Sequence, residues 1–191
     1  MILPIAAYGH QTLKQVGEEI RNDYENLDTL IEDMFETMYA SNGVGLAAHQ
    51  INRAIRLFVI DASPLSDNNP EFEEFKRKIF INAYITKEEG EDTEFEEGCL
   101  SIPGITELVK KKPVIYLSYY DEDFNFHENE RFDGILSRII QHEYDHINGK
   151  LFIERIPNFR RLLLKGKLRD ISNGDADVAY RMILPKKRTR K

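Results

Sequence analysis

The sequence predicts an α+β fold in which strands group around one central helix. Two observations support this class. Apolar runs typical of strands precede the main helical pattern, and they do not alternate with helices as βαβ units would require. The chain has 191 residues, of which 41% are hydrophobic and 31% charged, values that are typical of ordinary globular proteins. Its length suits one domain, with or without an appended tail.

The individual elements follow from the spacing of apolar residues. An amphipathic helix is predicted over residues 27–41, where apolar side chains recur every three or four positions. Buried strands are predicted at 56–61 and 79–85, joined by a polar surface loop. A further strand at 113–120 begins a hairpin, which is expected to turn at residues 121–123.

The central helix is predicted to begin at Asp133, a favoured N-cap residue, and to end at Gly149. It carries a His-Glu-x-x-His motif. His142 and His146 are four residues apart, so they lie on one helical face and can bind a single metal ion. Glu143 is offset by one residue, which places a carboxylate beside such an ion as a general base for water. Two ordinary histidines with backbone or carboxylate partners are the alternative.

A catalytic metal site of this kind needs a third protein ligand. Two familiar protease patterns do not supply it, because Phe152 stands where one needs histidine and Glu154 lies too close for the other. The remaining soft ligand is Cys99, the only cysteine of the chain. Gly98 lets the backbone approach closely, and a thiolate binds divalent cations well. A lone cysteine is also commonly an inert buried residue, so this alternative stays open from the residues alone.

Charge is unevenly distributed along the chain. Residues 1–149 contain 13 Lys and Arg against 29 Asp and Glu, whereas residues 150–191 contain 13 against 4. The acidic body argues against general nucleic-acid affinity, including DNA binding, whereas the basic end could contact phosphate. A frayed, solvated terminus is the alternative interpretation of the basic end. No apolar run approaches the ~18 residues of a membrane span, and the first residues do not resemble a signal peptide. We therefore expect a cytoplasmic protein without a membrane partner.

Three motifs, in this order, resemble those of the bacterial peptide deformylases. The Gly-x-Gly-x-Ala-Ala-x-Gln motif of that family is met at 43–50, and its Glu-Gly-Cys-x-Ser motif at 97–101. Its Gln-His-Glu-x-Asp-His motif is met at 141–146. Each motif alone is weakly specific, but three in sequence are highly specific.

The resemblance implies a metal-dependent hydrolase. Such an enzyme removes the N-formyl group from the N-terminal formylmethionine of nascent polypeptides and releases formate. The implied metal is Fe(II), with Zn(II) or Ni(II) as replacements. The implied catalytic domain spans residues 1–165, and residues 166–191 form a basic C-terminal tail without a separate domain. We expect this tail to contact the ribosome, where the substrate emerges.

The resemblance also implies roles for individual residues. Glu143 is expected to transfer a proton, while the Gln50 side-chain amide and the Leu100 backbone N–H stabilise the oxyanion. Asp145 and Gln141 are expected to fix the imidazole tautomers. The expected metal ligands are Cys99, His142 and His146. The residues expected to bind substrate are Val44, Gly45, Phe95, Gly98, Ile135 and Ile139, for which core packing or backbone geometry is the alternative.

Two departures from the family pattern concern the surroundings of the site. Lys110–Lys112 occupy a region where the family often has an arginine that pairs with the glutamate before the cysteine, here Glu97. Arg138 lies one helical turn before His142, at a position where an apolar pocket residue is expected. Both departures place positive charge close to the predicted site.

Two other functions stay open at this stage. An endopeptidase of the His-Glu-x-x-His type would use the same Glu143, but the chain lacks the third ligand expected after His146. A module that binds RNA could instead hold a purely structural metal ion. Such a site would be closed by four ligands, and Glu143 would then have no chemical role.

Overall fold

A computed structural model describes residues 1–68, 72 and 75–186 of the chain. Four helices form within these ranges, and none of them is long and apolar enough to cross a membrane. The helices are α1 (Leu27–Ala40), α2 (Gly134–Ile147), α3 (Asn158–Leu163) and α4 (Lys165–Asn173). The strands are β1 (Ile5–Ala6), β2 (Gly45–Ala47), β3 (Leu57–Ile60), β4 (Lys78–Glu89), β5 (Thr93–Cys99), β6 (Ile102–Lys111), β7 (Val114–Tyr120), β8 (Phe126–Phe132) and β9 (Met182–Ile183).

The largest sheet has five antiparallel strands in the order β2-β3-β4-β7-β8. The strands β5 and β6 form a separate antiparallel hairpin, and β1 pairs with β9 in parallel. The helices pack against these sheets and do not alternate with parallel strands. The predicted α+β class is therefore confirmed.

The strand β3 shows that the large sheet is covered on both faces. Leu57 and Val59 belong to the apolar cluster that includes α1, whereas Phe58 and Ile60 belong to the cluster that includes α2. Successive side chains of a strand point to opposite faces, so a continuous apolar run suits a strand between two layers of helix. The strand predicted at 56–61 is confirmed, with its ends one residue shorter on each side.

The hairpin formed by β7 and β8 turns at the predicted acidic residues. The Asp121 Oδ1 atom accepts hydrogen bonds from the backbone N–H groups of Asp123, at 3.1 Å, and Asn125, at 2.9 Å. An aspartate at the start of a turn commonly satisfies backbone donors in this way. The loop predicted after β3 begins as a 3-10 helix, Ser63–Asn68, and residues 69–71, 73 and 74 lie outside the described ranges.

The helix α2 packs on the large sheet through Ile140. Asp133 occupies its N-cap position, but the carboxylate accepts a hydrogen bond from Arg131 Nη1 at 2.6 Å and caps no helix N–H. At the other end Gly149 follows the helix with a φ of +69°, and its N–H donates to the His146 carbonyl at 3.0 Å. The predicted glycine stop is therefore confirmed.

Replacing Gly149 by Ala is expected to lower the free energy of unfolding by at least about 1–2 kcal/mol, the usual cost of a left-handed conformation for an L-residue. A Cβ atom at this position would also lie 2.7 Å from the Lys14 carbonyl oxygen. Urea denaturation measures the effect. Gly166→Ala is the matched control, because a Cβ there meets no atom within 4 Å. Equal stability of the two variants would contradict the prediction.

Part of the predicted tail, residues 166–191, packs against the rest of the chain. Leu168 and Ile171 of α4 are buried in an apolar cluster that also contains residues of β6. The strand β9 pairs with β1, so residues 182–183 lie beside residues 5–6. The basic residues that follow Lys186 lie outside the described part of the chain.

Candidate active site

Cys99, His142 and His146 come together where the β5–β6 hairpin meets α2. Cys99 is the last residue of β5, and the two histidines lie one turn apart on α2. The Cys99 Sγ atom is 3.2 Å from His146 Nε2. One ligand atom from each of the three residues lies within 4.8 Å of the other two. Three nitrogen and sulfur donors at these distances can converge on one divalent ion.

The electrostatics of these side chains fit a metal ion. Burial lowers the pKa of His146, and its Nδ1 atom has no hydrogen-bond partner among the described residues. Burial also lowers the pKa of His142, but hydrogen bonds with Cys99 and Glu97 outweigh it and raise that pKa to about 10. A cation that binds here would displace this proton, because imidazole binds metal only in its neutral form.

Glu97 orients the first histidine. Its Oε2 atom accepts a hydrogen bond from His142 Nδ1 at 2.9 Å, which leaves the second ring nitrogen for an ion. The Lys111 Nζ atom is buried and lies 2.9 and 3.0 Å from the two Glu97 oxygens. Burial raises the pKa of Glu97, but His142 and Lys111 outweigh it and hold this pKa below its ordinary value. A lysine therefore pairs with Glu97 where the family often has an arginine.

Asp145 and Gln141 are expected to fix the imidazole tautomers, but in the structure they form hydrogen bonds with other side chains. Asp145 accepts a hydrogen bond from Arg155 Nε at 2.6 Å, and Gln141 donates to Ser137 Oγ at 2.9 Å. Both positions precede a histidine by one residue, so they lie about 100° around the helix from the imidazoles. Glu97 fills the expected role for His142 because it approaches from the facing strand, whereas His146 Nδ1 has no partner among the described residues.

Replacing Lys111 by Met is expected to lower the free energy of unfolding by about 3 kcal/mol, because it removes the cation that is paired with the buried Glu97 carboxylate. The ammonium group contacts both Glu97 and Asp145, the latter at 3.3 Å. Chemical denaturation of the metal-loaded protein measures the loss. Lys110→Met is the control, since its exposed ammonium lies 3.6 Å from Glu94. A loss below about 1 kcal/mol, the value for exposed pairs, would count against this account.

The Glu143 side chain is buried against β2. A Cβ atom added to Gly45 would lie 2.5 Å from Glu143 Oε1, so only glycine leaves room for the carboxyl group. The other oxygen, Oε2, has no hydrogen-bond partner in the described part of the chain. Burial raises the pKa of Glu143 to about 7, although His142 and Lys111 lower it. A carboxyl group with such a pKa can both take up and release a proton near neutrality.

Gln50 and Leu100 both lie next to Cys99 and line the same cavity. The Gln50 Oε1 atom accepts a hydrogen bond from the Ala47 N–H at 2.8 Å, and Nε2 lies 3.6 Å from Cys99 Sγ. The loop hydrogen bond thus turns the amide nitrogen toward the candidate ligands. Leu100 follows Cys99 directly in the turn between β5 and β6.

A cavity of about 540 Å³ opens beside these residues. Ile135, expected in its lining, instead packs with Phe72 and Leu136, one helical turn beyond the end of the cavity. Arg138 does line the cavity, and its Nη2 donates to Thr93 Oγ1 at 2.7 Å. The predicted substrate residues found in the lining are Val44, Gly45, Phe95, Gly98 and Ile139. Lining residues that sequence reasoning missed include Asp177, Val178 and Tyr180.

The chain matches the family model for polypeptide deformylase over residues 2–162. It belongs to the polypeptide deformylase family. The peptide deformylase of Flavobacterium psychrophilum is 50% identical over 196 residues, which cover 98% of this chain and 100% of that protein. The peptide deformylase of Cytophaga hutchinsonii is 46% identical over 190 residues, with coverages of 98% and 100%. The crystal structure of a peptide deformylase from Legionella pneumophila superimposes with a TM-score of 0.79 at 34% identity, covering 92% and 98% of the two chains.

Membership of the deformylase family decides between the functions left open by the sequence. The chain is a metallohydrolase that removes the N-formyl group from nascent polypeptides. The endopeptidase alternative is not supported, and a purely structural metal does not fit an enzyme of this family. The cluster of Cys99, His142 and His146 agrees with the metal dependence of deformylases.

Proposed function

We propose that Glu143 moves the proton in deformylation, with Gln50 and Leu100 as donors to the developing negative charge. The observation that supports this role is the buried Glu143 carboxyl group, whose Oε2 atom has no partner among the described residues. The group lines the cavity next to Cys99 and His142. A buried carboxyl oxygen without a protein partner, beside the candidate metal ligands, suits a group that exchanges a proton with a water molecule held there.

Hydrolysis adds water across the C–N bond of the formamide. Glu143 takes a proton from the attacking water and later donates it to the leaving nitrogen, so formate and a free amine result. Cys99, His142 and His146 would hold a divalent ion, which would supply Lewis acidity to the carbonyl oxygen of the formyl group. The Gln50 Nε2 and Leu100 N–H groups donate to that oxygen as it gains charge, each contributing about 3 kcal/mol to the transition state.

The cavity also suits an extended peptide that begins with methionine. The strand β2 is at the edge of the large sheet, and Gly45 in β2 lines the cavity. A peptide can therefore pair with main-chain groups there, which binds it without reading its sequence. The apolar side chains of Val44, Phe95 and Ile139 would surround the methionine side chain.

The decisive experiment measures formate release from formyl-Met-Ala-Ser by the metal-loaded protein. We expect release from this peptide and no cleavage of casein, because the proposed machinery acts on the formyl group. Cleavage of casein without formate release would contradict the proposal. The same peptide without its formyl group is the control for background formate.

We propose Fe(II) as the working metal. One thiolate and two imidazoles bind Fe(II), Ni(II) and Zn(II), and the resemblance to bacterial deformylases favours iron. We expect activity that is lost in air and restored by Fe(II) or Ni(II). Protein loaded with each ion under anaerobic conditions is compared at equal metal content. Full activity with Zn(II) alone would contradict the iron assignment.

We propose that the enzyme acts in the cytoplasm and contacts ribosomal RNA through its basic C-terminal part. Arg161, Lys165 and Arg169 line a groove beside Tyr8 and supply positive charge to it. Cosedimentation with ribosomes should weaken steeply between about 50 and 200 mM salt, since phosphate contacts release counterions. The double variant Lys165→Glu, Arg169→Glu should weaken it further, whereas Lys87→Glu should not. Binding that is unchanged in the double variant would rule out this surface.

A further inference from the structure

The turn that joins β5 to β6 is held by two groups from distant parts of the chain. The Tyr8 backbone N–H donates to the Ser101 carbonyl at 2.8 Å. The Tyr180 hydroxyl donates to the Leu100 carbonyl at 2.7 Å. Leu100 and Ser101 are the two central residues of this turn, because Cys99 pairs with Ile102 across it. Both carbonyl groups of the turn therefore have an external partner.

These two partners are attached to one small sheet. Tyr8 follows β1 by two residues, and Tyr180 precedes β9 by two residues. The strands are bonded to each other, for example from the Ile5 N–H to the Arg181 carbonyl at 2.9 Å. The β1–β9 pair therefore acts as a clamp on the turn, with Tyr8 just after one strand and Tyr180 just before the other.

The turn held by this clamp contains two groups of the candidate active site. Cys99 at its start is a candidate metal ligand, and the Leu100 N–H is the proposed donor to the reacting oxygen. The Tyr180 side chain itself lines the cavity, on the segment that also contributes Asp177 and Val178. This segment lies beyond residue 162, where the match to the family model ends.

We propose that Tyr180 is a positioning residue for deformylation. Its hydroxyl holds the Leu100 carbonyl and so restricts rotation of the backbone on the carboxyl side of Leu100. The Leu100 carbonyl and N–H belong to neighbouring peptide groups joined at the Leu100 Cα atom, so holding the carbonyl limits the movement of the turn and thereby the directions open to the Leu100 N–H and to the adjacent Cys99. The inference rests on the proposed role of Leu100, and Tyr180 acts through that residue without touching the reacting atoms.

Replacing Tyr180 by Phe removes one hydroxyl group and keeps the ring in the cavity wall. We expect kcat to fall about three- to tenfold, the equivalent of one ordinary hydrogen bond, with unchanged KM and metal content. Tyr84→Phe is the matched control, because that hydroxyl donates to Glu19 at 2.9 Å and Tyr84 does not line the cavity. A raised KM with unchanged kcat would overturn the proposal, since Tyr180 would then only bind substrate.

A second measurement does not depend on activity. Amide hydrogen exchange by NMR, in the zinc-loaded full chain, should become faster at Leu100 and Ser101 in Tyr180→Phe and stay unchanged in Tyr84→Phe. Unchanged exchange at both amides would overturn the proposal. Faster exchange with an unchanged kcat would support the clamp and would contradict the proposed role of the Leu100 N–H.

Discussion

Replacing Glu143 by Gln is expected to lower kcat for deformylation by about 10²- to 10⁴-fold, the range for loss of a general acid–base group. The amide has nearly the same size as the carboxyl group but cannot take a proton from water. Metal content should not change, because Cys99, His142 and His146 keep their side chains. Protein stability should not fall either, since the buried carboxyl is replaced by a neutral group.

The measurement compares formate release and metal content for Glu143→Gln and the parent enzyme. Glu128→Gln, an exposed position on β8, is the matched control and should behave like the parent. Activity of Glu143→Gln within a few-fold of the parent would rule out Glu143 as the proton carrier. Loss of metal from Glu143→Gln would instead assign the carboxyl a role in holding the ion.

Replacing Cys99 by Ala is expected to abolish both metal binding and activity. The variant keeps two imidazoles, which cannot complete a three-ligand site. Metal affinity should fall by more than the roughly 10- to 100-fold typical of losing a residue that merely supports a ligand. Deformylation should fall to the background rate, because no ion remains to supply Lewis acidity.

Metal content by mass spectrometry and affinity by competition with a chelator measure this loss. The metal-free parent protein is the control for folding, and its circular dichroism should match that of Cys99→Ala. A variant that binds one ion with the affinity of the parent would show that the thiol is not a ligand. Cys99 would then be the inert buried cysteine that composition alone allows.

Local patterns allowed much of this fold and site to be predicted. The His-Glu-x-x-His spacing fixes the relative positions of His142 and His146 on any helix, so their proximity needs no tertiary information. The strand β3 can be predicted from the sequence because a continuous apolar run is typical of a strand in a sheet that is buried on both faces. Chemistry alone singles out Cys99 as the remaining soft candidate ligand, and the structure places it close to both histidines.

The residues that support the site were harder to predict. The strand β5 is mostly exposed and rich in glutamate, so it lacks the alternating apolar pattern of a half-buried strand. A usable signal existed nevertheless, because Glu97 and Cys99 are two residues apart and side chains at that spacing share a strand face. Ile135 shows the opposite error, since it shares a helical face with Ile139 but lies past the end of the cavity.

The contacts between β1 and β9 cannot be predicted from local sequence patterns. The strands β1 and β9 contain two residues each, and the pairing of Ile5 with Met182 spans most of the sequence. Tyr180 could therefore not be connected with Leu100 before the fold was known. Long-range pairs of this kind depend on the whole topology and not on the composition of either segment.

The pairing of β1 with β9 also limits when a newly synthesised copy of this enzyme becomes fully active. The pairing of Ile5 with Met182 can form only after both residues have been synthesised. A growing chain that already contains the β5–β6 hairpin and helix α2 still lacks Tyr180 and β9, which secure the turn. Each molecule therefore reaches its full rate of processing other newborn chains only after these residues have left the ribosome.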